Sequence, residues 1–123
     1  MTLTEYRVSV TDILRENLPD EIAIIDHIPD SIAPPAIVWG WASPWILPSS
    51  WCEFTSVAEL VCVSQRIEPG GQLGVLESMV EMVLSILRTN RIAFRDVTAP
   101  YPIVLGGVNY LATSVNIVTE LGD

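Results

Sequence analysis

The sequence predicts an α+β fold: a mainly antiparallel or mixed sheet of four to five strands packed with two helices, in the order α-β-β-β-α-β-β. Three observations carry this expectation. Two segments, around residues 3–18 and 73–88, repeat apolar side chains at helical spacing. Other runs are rich in β-branched and aromatic residues, alternate with period two and are bounded by Pro or Gly. Finally, strand-like runs follow one another without an intervening helix, which favours antiparallel neighbours in an α+β layer. At 123 residues the chain has the length of one domain, residues 1–123, and no internal repeat, low-complexity stretch or linker divides it.

The first helix begins at Thr2, with Glu5 three residues later in the spacing of a capping box. Leu3, Tyr6, Val10, Ile13, Leu14 and Leu18 form its apolar face, Arg7, Thr11, Asp12, Arg15 and Glu16 lie between them, and Pro19 supplies the stop. Glu21 to Asp26, with Ile22, Ile24 and Ile25, is a short strand closed by Pro29 and Asp30, and Ala36 to Trp41 is a second strand beyond a proline-bearing turn. Phe54 to Ile67 is a long strand. Val57, Glu59, Val61 and Val63 fall on one face and Phe54, Ala58, Leu60 and Cys62 on the other, so both faces are apolar and the strand belongs in the middle of the sheet with cover on each side.

Pro69-Gly70-Gly71 breaks that strand ahead of the second helix. Leu73, Leu76, Val80, Val83, Leu84 and Leu87 make one stripe there, Val75, Met79, Met82 and Ile86 lie beside it, and the polar stripe of Glu77, Ser78, Glu81, Ser85 and Arg88 is narrow. So wide an apolar arc exceeds what one sheet face covers, which points to a neighbouring subunit. Arg88 and Asn90 suit the carboxyl end. Ile92 to Val97, Tyr101 to Leu105 and Val108 to Glu120 are the closing strand runs, with Gly106-Gly107 as a hairpin turn or a bulge.

Composition narrows the function. Half of the residues are hydrophobic and mean hydropathy is +0.42, high for a small soluble monomer, in which large apolar patches usually mark interaction sites. All four tryptophans, Trp39, Trp41, Trp45 and Trp51, fall between Ala36 and Cys52 beside Pro44 and Pro48, with no charged side chain among residues 36–52. A surface loop is normally polar, so this segment folds onto the core or meets another molecule. The apolar runs are broken well before the ~20 residues a transmembrane helix needs, and the amino end lacks a signal peptide's basic start. The expectation is a chain that is cytosolic at synthesis, with no membrane partner.

Fifteen Asp and Glu face six Arg and no Lys, for a formal net charge of −9. Gripping a nucleic acid through its phosphates needs clustered cations, and Arg7, Arg15, Arg66, Arg88, Arg91 and Arg95 are mostly scattered. The acidity serves solubility, or a surface that DNA passes without sticking. Catalytic and metal chemistry finds no constellation. His27 is the only histidine, without a visible second member. Cys52 and Cys62, ten positions apart, match no zinc spacing and are expected to be reduced packing residues, and the acids form no calcium loop. No catalytic residue, metal or cofactor is therefore expected.

The succession resembles the tail terminator proteins of long-tailed bacteriophages, particularly those of actinobacterial hosts. The residues that carry the resemblance are the helix ending at Leu18-Pro19, the Pro34-Pro35-Ala36-Ile37-Val38 entry to a strand, the long strand before an acidic apolar helix, and the closing Tyr101-Pro102-Ile103-Val104-Leu105-Gly106-Gly107-Val108-Asn109-Tyr110 unit. The resemblance implies a non-enzymatic virion subunit that forms a ring with itself, typically a hexamer. Such a ring caps the tail tube, joins it to the head–tail connector proteins and leaves a lumen through which DNA passes ungripped. On that reading Trp39, Trp41, Trp45, Trp51, Val75, Met79 and Met82 bury subunit or tail-tube contacts. Two rivals are another connector piece, such as a stopper or head-completion protein, and a carbohydrate-binding module that stacks tryptophans on sugars.

Overall fold

The computed structural model describes residues 2–26, 32–48, 53–66 and 73–122, without the side chains of residues 41–44, 65, 66 and 122. His27, Trp51, Cys52 and the Pro69-Gly70-Gly71 breaker lie outside the described residues. The elements run α1 (Leu3–Asn17), β1 (Ala23–Ile25), β2 (Ala36–Pro48), β3 (Glu53–Arg66), α2 (Gly74–Thr89), β4 (Phe94–Val97), β5 (Tyr101–Leu105) and β6 (Val108–Gly122). The α+β class is as expected from the sequence. The strand count is not: six strands are present among the described residues rather than four to five, because the two short runs before β6 are separate strands that share one of its edges.

The sheet order is β1-β2-β3-β6-β4, with β5 also on β6. β1 and β2 are parallel, and every other pair is antiparallel. β3 is central, paired along its length with β2 and β6. The tryptophan segment is not a separate unit after a strand ending at Trp41. β2 continues through it to Pro48, and the register against β3 shifts between Trp41 and Ile46. The extra residues of that irregularity let Pro44 and Trp45 sit in a strand without forcing every side chain into the ladder.

Both helices cover one face of the sheet. Thr2 caps α1 by accepting a hydrogen bond from the Glu5 backbone N–H at 3.1 Å, and Leu18 ends it ahead of Pro19. α2 ends in a Schellman motif: Arg91 N–H bonds to the Arg88 carbonyl and Ile92 N–H to that of Leu87, with Arg91 in the left-handed region at φ 56°. Val10, Leu14 and Leu18 of α1 and Leu76, Met79, Val83 and Leu87 of α2 close over Ile37, Trp39, Ala58, Leu60, Cys62, Val115 and Ile117. The i, i+3, i+7, i+11 spacing of the four α2 residues is what aligns them on one side.

The other sheet face carries a smaller cluster of Val63, Tyr110 and Ala112 with Val61, Tyr101, Ile103, Leu105 and Val108. Gly106 and Gly107, at φ 59° and 78°, form the two-residue turn that folds β5 back on β6, a backbone that side-chain-bearing residues adopt only with strain. Thr98 stitches the gap between β4 and β5 to β6: its N–H bonds to the Ser114 carbonyl at 2.9 Å, and its Oγ1 accepts from Ser114 N–H at 3.0 Å.

Next to that gap the Asn116 side-chain amide donates to Asp96 Oδ1, and Arg95 Nε donates to Asp96 Oδ2 at 3.1 Å. These bonds, the Asn116 one foremost, hold the exposed Asp96 carboxyl below its ordinary value of 3.8. A group whose folded-state value is depressed contributes stability that is present above the unfolded value and is lost as pH falls through the folded one. The melting temperature of the wild type is therefore expected to drop more than that of Asp96→Asn over the acid range below pH 3.8. Parallel thermal melts check this, and equal slopes would remove the role of the carboxylate.

Candidate interaction surface

Among the large apolar side chains open to solvent, which also include Val8, Phe94 and Val104, two groups stand out. The first is where β2 and β3 run beyond the helices. Trp45, Ile46 and Leu47 of β2 are exposed, Phe54 of β3 is 47% exposed, and Pro48 pairs with Phe54 at the end of the ladder. β1 is only three residues long, so the outer edge of β2 beyond Val38 has no strand partner among the described residues. Backbone groups on such an edge are a template for pairing with another chain.

The second group is at the start of α2. Leu73 and Val75 are about half exposed, at 50% and 53%, and Met82 two turns along is also open. On the Leu73 flank a shallow cavity of about 250 Å³ is bounded by Leu73, by Leu76 and Val80 of α2 and by Val97, Pro100 and Thr113, with Glu77 and Glu81 on its rim; Val75 and Met82 are on the other flank of the buried α2 stripe. The cavity is thus beside β4, whereas the first group is on the β2–β3 side of the sheet.

The expected interface residues divide accordingly. Trp45 is in the first group and Val75 and Met82 in the second. Trp39 and Met79 are instead inside the protomer: Met79 belongs to the α2 core stripe, and Trp39 is under α1, with its indole N–H donating to Thr11 Oγ1 at 2.9 Å and its ring edge-on to Tyr6, 6.5 Å between centroids. Their area is already removed from water and is not available to a partner. Trp41 follows Trp39 on β2, opposite Ala58, and Trp51 is outside the described residues. Sequence reading missed Ile46, Leu47 and Phe54. The signal existed, since Phe54 and Leu47 flank the apolar tip of the segment on both strands.

A second cavity, of about 210 Å³, lies at the base of the first group. Leu3, Thr4, Tyr6 and Arg7 of α1 line it together with Trp39, Trp45, Ser56 and Ala58. Tyr6 Oη and Arg7 Nε are shielded from water without a hydrogen-bond partner, and the Arg7 side chain makes no hydrogen bond or ion pair among the described residues. Burial pushes the Tyr6 phenol up to about 12, so at neutral pH it stays a hydrogen-bond donor. Burial likewise pushes the Cys62 thiol up to about 12, which keeps it un-ionised and poorly nucleophilic at neutral pH.

Charge is on the surface. Every Asp and Glu among the described residues is exposed or half-exposed, and so is every Arg whose side chain is described. No group of three metal-ligating side chains occurs among the described residues, and no helix among them is long and apolar enough to cross a membrane. No family model matches this chain, and no curated protein matches it in sequence.

Proposed function

We propose that this protein is a structural subunit of a phage virion, a tail terminator, whose copies close head to tail into a ring that caps the tail tube and joins it to the head. The observation that carries the reading is that two dissimilar apolar surfaces, the end of the β2–β3 arm and the Leu73 end of α2 beside β4, are open to solvent in one protomer. Identical patches facing each other give a closed two-fold pair, whereas two different patches that meet give a heterologous contact that repeats, closing into a ring when the rotation allows. The exposed strand edge of β2 adds backbone groups to the first patch. The solvated acidic surface suits a bore for DNA, since like charge keeps a polyanion from adhering. The likeness of sequence features to tail terminators supplies the setting, including the expectation of about six subunits and of tail tube and connector proteins as partners.

Sugar stacking finds less support, because Trp39 has both its N–H and its ring engaged inside the protomer. Tails assembled with and without the protein test the proposal by negative-stain microscopy. Uniform tubes with a cap of density at the head-proximal end are expected in its presence, and overlong uncapped tubes in its absence. Binding to filled heads but not to tube ends would replace termination by the stopper role, and tubes of unchanged length would end the capping reading.

A further inference from the structure

We infer that the cavity between α1 and the β2–β3 arm is a carboxylate socket, in which Arg7 receives an acidic side chain, Glu77 or Glu81, from α2 of the next copy in the ring. This contact rests on the ring reading above and specifies its chemistry. Four buried side-chain polar atoms lack a hydrogen-bond partner among the described residues, and two of them, Tyr6 Oη and Arg7 Nε, belong to adjacent residues of this one cavity. Buried donors left unpaired are costly and rarely tolerated without a reason, and the guanidinium that carries Arg7 Nε lines the cavity with no acceptor supplied by the described residues of its own protomer. Arg7 supplies a cation and a planar set of N–H donors, the geometry that fits a carboxylate. Tyr6 and the Ser56 hydroxyl supply further polar contacts, and the indoles of Trp39 and Trp45 with Leu3 and Ala58 wall the site with apolar surface that strengthens a charge pair by keeping water out.

The chain itself offers the matching anion. Each copy carries fifteen acids against six arginines, and Glu77 and Glu81 stand one helical turn apart on the exposed rim of the other apolar patch. Like charges at that spacing repel each other along a helix, and a cation from outside relieves them. The socket is beside Trp45 on the β2 side, and the acidic rim is beside Leu73 at the β4 side, so one copy presents each half and a line of copies satisfies both. Copies with a net charge of −9 repel in general, and a specific ion pair between the patches fixes which edges meet.

Sedimentation velocity on three preparations tests this: wild type, Arg7→Glu, and Glu77→Arg/Glu81→Arg. Wild type is expected to self-associate. Each charge-reversed variant alone is expected to do so at least tenfold more weakly, because its own junction then sets like charges together. An equimolar mixture of the two is expected to recover association, since reversed socket meets reversed rim and native socket meets native rim in alternation. Arg7→Gln, which removes the charge without reversing it, should fall between wild type and Arg7→Glu, and far-ultraviolet circular dichroism should show all variants folded. Variants that associate like wild type would overturn the socket while leaving ring assembly intact. A mixture that fails to recover would overturn the pairing of Arg7 with Glu77 and Glu81. A wild type that stays monomeric at every concentration would overturn the contact between free copies, whereas the capping reading is judged separately on tail tubes.

Discussion

Replacing Trp39 by alanine is expected to lower folding stability by about 3–5 kcal/mol, the range for truncating a buried large aromatic side chain. Trp39 is only 6% exposed, its N–H is held by Thr11 on α1 at 2.9 Å, and its ring meets Tyr6 at an interplanar angle of 82°. It is the side chain by which β2 holds α1 to the sheet. The loss is large against a total stability of roughly 5–15 kcal/mol for a domain of this kind. Trp39→Phe keeps most of the ring area but removes the donor, and a cost of about 1–3 kcal/mol is expected from the unpaired Thr11 oxygen. A Trp39→Phe/Thr11→Val double variant should recover part of that cost, because both partners are then apolar. Trp45→Ala, on the same strand but 42% exposed against 6% for Trp39, should cost clearly less than Trp39→Ala. Urea unfolding followed by circular dichroism separates these outcomes. Equal costs for Trp39→Ala and Trp45→Ala would contradict the division of the tryptophans into one inside and one outside.

That division is where sequence reading reached its limit. The helices were legible because their apolar residues keep one period over four turns, and the central strand because Ala58, Leu60 and Cys62 oppose Val57, Val61 and Val63 along a single run. Capping at Thr2, the stop at Pro19 and the turn at Gly106-Gly107 were legible for local reasons: each rests on backbone chemistry within a few residues. Which tryptophan is buried depends instead on pairing across the sheet. Opposite Leu60 in the register, Trp39 is on the helix side, and Thr11, which reads as a polar residue between apolar ones, is on the buried stripe with Leu14, where its oxygen accepts from the indole N–H. Periodicity placed Met79 next to Met82, yet Met79 lies over the sheet and Met82 faces outward, since a helix on a flat layer buries a stripe narrower than its apolar arc. The extension of β2 to Pro48 was hidden by Pro44 and Pro48, which read as breakers but are tolerated on an edge strand whose outer N–H groups have no ladder to join. The division of the closing strands into β4 and β5 was legible as two runs either side of Pro100, but that both join one edge of β6 was not, as Thr98 is held there by long-range hydrogen bonds.

Substituting serine for Trp45, Leu47 and Phe54 together should abolish assembly while leaving the protomer folded. These side chains are 41–47% exposed in the single copy, so each change should cost the folded state less than the roughly 2–5 kcal/mol of truncating a fully buried side chain. Leu47, opposite Thr55, and Phe54, opposite Pro48, project from the two faces of the arm, so a partner that wraps its tip would desolvate both, and removing one such anchor from a contact centre costs about 2 kcal/mol or more. Three such losses are not additive, but a total of about 4 kcal/mol already weakens association roughly a thousandfold. The opposite result is expected at Trp39, where substitution should unfold the protein rather than dissociate it. The measurement is a pair: thermal melts of the triple variant, and its sedimentation or pelleting with tail tubes. A triple variant that still melts cooperatively and no longer assembles or caps would identify the β2–β3 arm as the contact surface. One that assembles normally would show that the arm is solvent-facing in the virion, and would transfer the burden of assembly to the α2 patch.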